Sequence, residues 1–126
     1  MDPIRKKKIE AEIIRTLATL LVSGKVKDPN IGIVSLHRAD LSADMGHVKI
    51  WVTSFIEEKQ KGKLMTALKR AAGFFQHVIA TELKLRSTPR IQFVWDDNYI
   101  KSLEVNALID SLPKLEEESS PELNES

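Results

Sequence analysis

The chain has 126 residues, enough for one ordinary domain, and 42% of them are hydrophobic, enough to furnish a core. It contains no cysteine, which excludes disulfides, cysteine-ligated metals and thiol chemistry and fits a reducing compartment. The net charge of +1 is unevenly spread: one lysine and five glutamates fall from Lys114 onward, leaving +5 on residues 1–113. A mildly basic body of this kind permits a polyanionic partner without demanding one.

No stretch approaches the roughly 20 apolar residues of a membrane span. The basic start, Arg5-Lys6-Lys7-Lys8, is not followed by the apolar run of a secretion signal, because Glu10, Glu12 and Arg15 interrupt residues 9–22. The cytoplasm is the expected compartment.

Asp2-Pro3 reads as a helix start, with Asp as the cap and Pro at the first helical position. Ile9, Ile13, Leu17, Leu20 and Leu21 recur at helical spacing, and Ser23-Gly24 suits a helix end. The first helix is expected over 3–23. Asp28-Pro29-Asn30 marks a turn, and strand-like runs follow at 31–39 and 47–55. In the second run Val48, Ile50 and Val52 alternate with Lys49, Trp51 and Thr53, the period of a half-buried strand. The link at 40–46 is short and polar, so the two strands form an antiparallel hairpin.

From Glu57 the period turns helical: Leu64, Leu68, Ala71, Phe75, Val78, Ile79 and Leu83. One of Phe74 and Phe75 is core by its phase. Gly73 falls inside this pattern, where glycine costs about 1 kcal/mol against alanine. We therefore divide the segment into two helices meeting at a kink at Ala72-Gly73. Pro89 ends it. Residues 90–95 read as a third strand with Ile91, Phe93 and Trp95 on one face, and a short last helix fits 98–112. The tail at 113–126 is acidic, has almost nothing to bury and is expected to be disordered. The order α-β-β-α-α-β describes a two-layer α+β domain over residues 1–112: a three-stranded sheet covered on one face by helices. It matches the K-homology topology found in bacteria.

Several residue sets bear on function. Arg5, Lys6, Lys7 and Lys8 are suited to gripping RNA phosphates, although a charge run is more often a solvated helix face. Lys59, Lys61, Lys63, Lys69, Arg70, Lys84, Arg86 and Arg90 add cations on the later helices and the turn into the third strand. If the helices share a layer, these form a basic surface. Ala71-Ala72-Gly73 either lets an RNA backbone approach closely or lets neighbouring elements pack, and spacing alone favours packing. Trp51 and Trp95 can stack on bases, but strand aromatics are more often core. His37, His47 and His77 come from three elements without metal-ligand spacing. Carboxylate pairs at the turns are explained by turn chemistry. With no nucleophile motif, phosphate loop or dinucleotide fingerprint, no catalytic site, metal or cofactor is expected.

Taken in order, the segments Val26-Lys27-Asp28-Pro29-Asn30-Ile31, Asp40-Leu41-Ser42, Val48-Lys49-Ile50-Trp51-Val52-Thr53, Ala71-Ala72-Gly73, Leu85-Arg86-Ser87-Thr88-Pro89 and Arg90-Ile91-Gln92-Phe93-Val94-Trp95-Asp96 resemble the ribosome-binding factor A family over residues 3–112. The resemblance implies a type II K-homology-like fold in which Ala71-Ala72-Gly73 forms the interhelical kink. It implies a non-enzymatic, monomeric assembly factor that binds the immature small ribosomal subunit and its rRNA late in maturation. A role in growth at low temperature and release involving a GTPase are also implied. The RNA-contacting set expected from charge and resemblance together is Arg5, Lys6, Lys7, Lys8, Lys69, Arg70, Ala71, Ala72, Gly73, Arg86 and Arg90. The family often carries a basic residue three positions after the kink glycine, where this chain has Gln76. The competing expectation is a protein-interaction module of the same fold that does not touch RNA.

Overall fold

The computed structural model describes residues 2–111, so the acidic stretch at 113–126 lies outside the described residues. The elements are α1 (Pro3–Val22), β1 (Ser35–Leu41), β2 (His47–Thr53), α2 (Glu58–Leu83), β3 (Arg90–Trp95) and α3 (Asp97–Ser111). The chain divides into two compact units, residues 1–96 and 97–126. No described helix is long and apolar enough to cross a membrane.

The first unit is an α+β layer pair. Asp2 caps α1 by accepting the backbone N–H of Ile4 at 3.0 Å, and Pro3 occupies the first turn. The helix ends at Ser23, and Gly24 takes the left-handed conformation, φ 79°, that glycine adopts without strain. β1 and β2 form the expected antiparallel hairpin, with Leu41 opposite Val48 and a bulge between Leu36 and Arg38. β3 lies parallel to β2, with Val48 opposite Ile91 and Ile50 opposite Phe93, so the sheet order is β1-β2-β3. A parallel neighbour requires a crossover, and α2 supplies it.

One face of the sheet meets the two helices. Val48, Ile50 and Val52 of β2 are fully buried against Ile13 and Leu17 of α1 and Leu68, Phe75 and Ile79 of α2. Phe75, not Phe74, is the core ring, and it meets Phe93 edge to face at 5.7 Å between centroids.

Two expectations about boundaries are corrected. β1 begins at Ser35 and extends to Leu41, not over 31–39. Residues 31–34 stay in the loop because the Asp28 turn continues through Ile31, whose N–H reaches the Asp28 carbonyl at 3.0 Å. The strand's far end is held by α1, since Glu10 accepts the Leu41 N–H at 2.7 Å. The two helices expected on either side of Gly73 are joined in one hydrogen-bonded element, Glu58–Leu83. With each half of α2 counted as a helix, the order is the one read from sequence. The buried stripe Leu64, Leu68, Phe75, Ile79 runs past Gly73 on one face, so burial on both sides outweighs the glycine's cost.

The second unit is described through α3. None of its residues is buried, and Leu103, Val105, Leu108 and Ile109 are exposed.

Candidate nucleic-acid interface

The expected cations do not form one cluster. The structure distributes them over three concave sites and commits two of them internally. Arg5 and Lys8 on α1 meet Arg86, after α2, around a cleft of about 480 Å³ whose other walls include Glu12, Met45 and Lys84. Lys7 lines a second cleft of about 570 Å³ with Arg38 and Asp40. Lys69 lines a third, of about 370 Å³, between α2 and the edge strand β3, with Met65, Thr66, Ile91, Gln92 and Phe93.

Lys6 sits 3.3 Å from Asp40 and 3.9 Å from Glu10, which itself holds β1, so its charge is already compensated. Arg70 donates to Asp28 at 2.8 Å and pins the loop before β1 to α2. The backbone N–H of Asn30 and then this guanidinium hold the Asp28 carboxyl below the ordinary carboxylate range. Lys69 and Arg70, adjacent in sequence, thus have different roles. Arg90 is exposed at the start of β3, opposite His47, and its N–H bonds the Gly46 carbonyl at 2.9 Å.

Ala71 and Ala72 are half-buried, whereas Gly73 is exposed. A methyl group added at Gly73 would meet nothing within 4 Å. Internal packing therefore does not require the glycine, and its bare backbone is open on the surface of α2 to anything that approaches from outside. Gln76 is not a surface group awaiting phosphate: its side-chain oxygen accepts the Ile91 N–H at 3.0 Å.

The face of the sheet opposite the core carries Arg38, Lys49 and Trp51. The Arg38 guanidinium carbon lies 3.7 Å from the Trp51 ring centroid. Trp95 packs against the core, and the Lys61 ammonium lies 5.2 Å from its ring centroid. Neither tryptophan presents a bare ring. His37 bonds Thr53 at 2.6 Å across the hairpin. Among the described residues no group of His, Asp and Glu could hold a metal ion.

Sequence reasoning counted Lys84 in the basic surface but not in the RNA-contacting set, and passed over Met45, although both line the first cleft. Lys84 had a charge to mark it. Met45 carried no signal, because its place depends on the backbone of the hairpin turn.

A family model described as ribosome-binding factor A matches residues 5–109. The Leptospira biflexa serovar Patoc protein of that name is 45% identical over 115 residues, covering 90% of this chain and 77% of its own length. The solution NMR structure of a Thermotoga maritima protein described as a ribosome binding factor A superposes with a TM-score of 0.65 at 31% identity, over 75% of this chain and 90% of that one. A homology model of the Thermus thermophilus factor, fitted into a cryo-EM map of its complex with the 30S subunit, gives 0.59 at 27% identity, over 72% and 96%. With the family model matching nearly the whole described chain, a relative 45% identical over most of both lengths, and the same α+β fold, the chain belongs to the ribosome-binding factor A family.

Proposed function

We propose that this protein binds the immature small ribosomal subunit, contacts its rRNA through backbone phosphates, and assists late maturation without catalysing a reaction. The observation that carries this reading is the family match over residues 5–109, joined to the Thermus relative fitted into a 30S complex. The geometry supports the RNA part. Lys69 and the edge strand β3 border one groove, and Gly73, one helical turn on from Lys69 in α2, leaves its backbone open to a nucleic-acid strand. Phosphate contacts of this type position a protein on RNA and carry no sequence information. Action as a monomer in the cytoplasm, release by an assembly GTPase, and a growth defect in the cold on its loss belong to the same proposal.

The test is co-sedimentation of the full chain with mature and immature small subunits over a salt series, alongside retention of a naked small-subunit rRNA transcript. The reading expects preference for the immature particle and binding that weakens steeply with salt. Equal distribution across all ribosomal fractions would overturn it.

A second reading, docking on protein alone, has one observation in its favour. Ile33 and Phe55 are 84% and 94% exposed on neighbouring loops that the Ser54 hydroxyl joins by bonding the Ile33 carbonyl. Subunit binding that is independent of salt and lost in Phe55→Ser would favour it.

A further inference from the structure

Among the described residues two that are not glycine have positive φ: Met45 at 61° and Lys84 at 53°. Side chains with a Cβ rarely adopt this conformation, and it concentrates where function constrains the chain. The two residues are far apart in sequence, yet both line the first cleft. Lys84 is the C-terminal cap of α2, a position where glycine is the usual occupant. The left-handed turn carries the chain out of the helix so that Lys84, Leu85 and Arg86 all border the space facing Arg5 and Lys8.

The cleft carries an excess of positive charge. Arg5, Lys8, Lys84 and Arg86 face one carboxylate, Glu12, for a net of +3. Among the described residues none of the four cations is in an ion pair, in contrast to Lys6 and Arg70. Lys84 and Arg86 follow the C-terminus of α2, whose dipole favours cations, but Arg5 and Lys8 lie in the first two turns of α1, whose dipole disfavours them. The first turn of α1 holds no acidic residue. The floor is apolar, made by Ile9, Leu83 and Leu85. Among the described residues Glu12 is the one carboxylate lining this cleft and leaves most of its positive charge uncompensated, and two arginine forks with two ammonium groups suit the oxygens of a phosphodiester.

We infer that this cleft is a second RNA contact, separate from the α2–β3 groove, and that it takes the sugar-phosphate backbone of an rRNA strand. The inference rests on the proposed RNA binding and adds a second place of contact to it. α1 and the turn after α2 form the two walls, so a bound strand bridges the N-terminal helix and the entry to β3. Lys84 accepts an unfavourable backbone conformation at the point where its charge is needed.

The test uses the full chain and two probes, isolated small subunits and a naked small-subunit rRNA transcript. Lys84→Gln/Arg86→Gln removes one wall, Arg5→Gln/Lys8→Gln removes the other, and Lys69→Gln reports on the groove. Circular dichroism and melting establish that each variant is folded. Each cleft pair should weaken binding to both probes about tenfold at moderate salt and lower the slope of log affinity against log salt by roughly 1.5 to 2. Lys84→Gly should melt higher than wild type, having shed the strain, and still bind more weakly. If one pair misfolds, the pair on the opposite wall decides. Folded cleft variants with wild-type affinity and slope, beside a weakened Lys69→Gln, would overturn the cleft and leave RNA binding standing. Failure of the wild-type chain to retain the transcript at low salt would overturn both.

Discussion

The side-chain oxygen of Gln76, midway along α2, accepts the backbone N–H of Ile91, the first buried residue of β3, at 3.0 Å. β3 is parallel to β2, and in such a strand alternate N–H groups point away from the neighbour. Arg90 and Asp96 donate inward to Gly46 and Val52, so the Ile91 N–H points to the open edge, where Gln76 receives it. A lysine or arginine at this position has no acceptor to offer. Gln76 therefore holds the edge strand to α2 in this chain.

Gln76→Ala leaves the part-buried Ile91 N–H without its acceptor and should destabilise the domain by about 1–3 kcal/mol. Gln76→Lys should lose a similar amount. Urea unfolding monitored by circular dichroism measures both, and a midpoint equal to wild type would show that the bond contributes nothing.

Gly73→Ala should do the reverse. The added methyl meets open space, and alanine in a helix interior is favoured over glycine by about 1 kcal/mol, so the melting temperature should rise. On the proposed RNA binding, association with small subunits should fall, because the methyl would cover the open backbone. A more stable variant that co-sediments like wild type would remove Gly73 from the interface.

Lys69→Gln and Arg70→Gln should separate. Lys69 lines the groove, so its loss should lower the salt slope of subunit binding by roughly one charge's worth. Arg70 is held by Asp28 at 2.8 Å, so its loss should loosen the loop before β1 and leave the slope near wild type. Sedimentation across a salt series, paired with amide exchange at residues 28–34, distinguishes the two.

The Asp28 carboxyl is held below its ordinary range by the Asn30 N–H and then by Arg70. Its folded value is depressed, so its contribution to stability is present above the ordinary carboxylate range and is lost as pH falls through the depressed value. Asp44, held down by the Ser42 hydroxyl and then the Gly46 N–H, has the same sign. Asp28→Asn should flatten part of the decline in unfolding midpoint on acidification. An unchanged pH profile would mean the carboxylate is equally protonated in both states.

Elements that depend on local periodicity were legible. Ile9, Ile13 and Leu17, and Val48, Ile50 and Val52, mark buried faces at spacings of 3.6 and 2, and all six are buried. Caps at Asp2 and Ser23-Gly24 were legible because their chemistry is local. The continuity of α2 was not, because it depends on the sheet that Leu68, Phe75 and Ile79 cover together, a tertiary term absent from propensity. The site was legible as a charge excess and no further. Nothing local says that Lys6 meets Asp40, that Arg70 meets Asp28, or that Arg5 meets Arg86, since each pairing or approach crosses between elements.

The parallel pairing of β2 with β3 sets the order in which this chain folds. Leu41 meets Val48 across a short turn, whereas Val48 meets Ile91 only after the whole of α2 has been placed. Closing the longer loop costs chain entropy before any contact offsets it. The hairpin with α1 is thus expected to form before β3 docks onto it, β3 being also the later of the two to leave the ribosome during synthesis. Substitutions in the hairpin core will register as slower folding, and those at the β3 edge as faster unfolding.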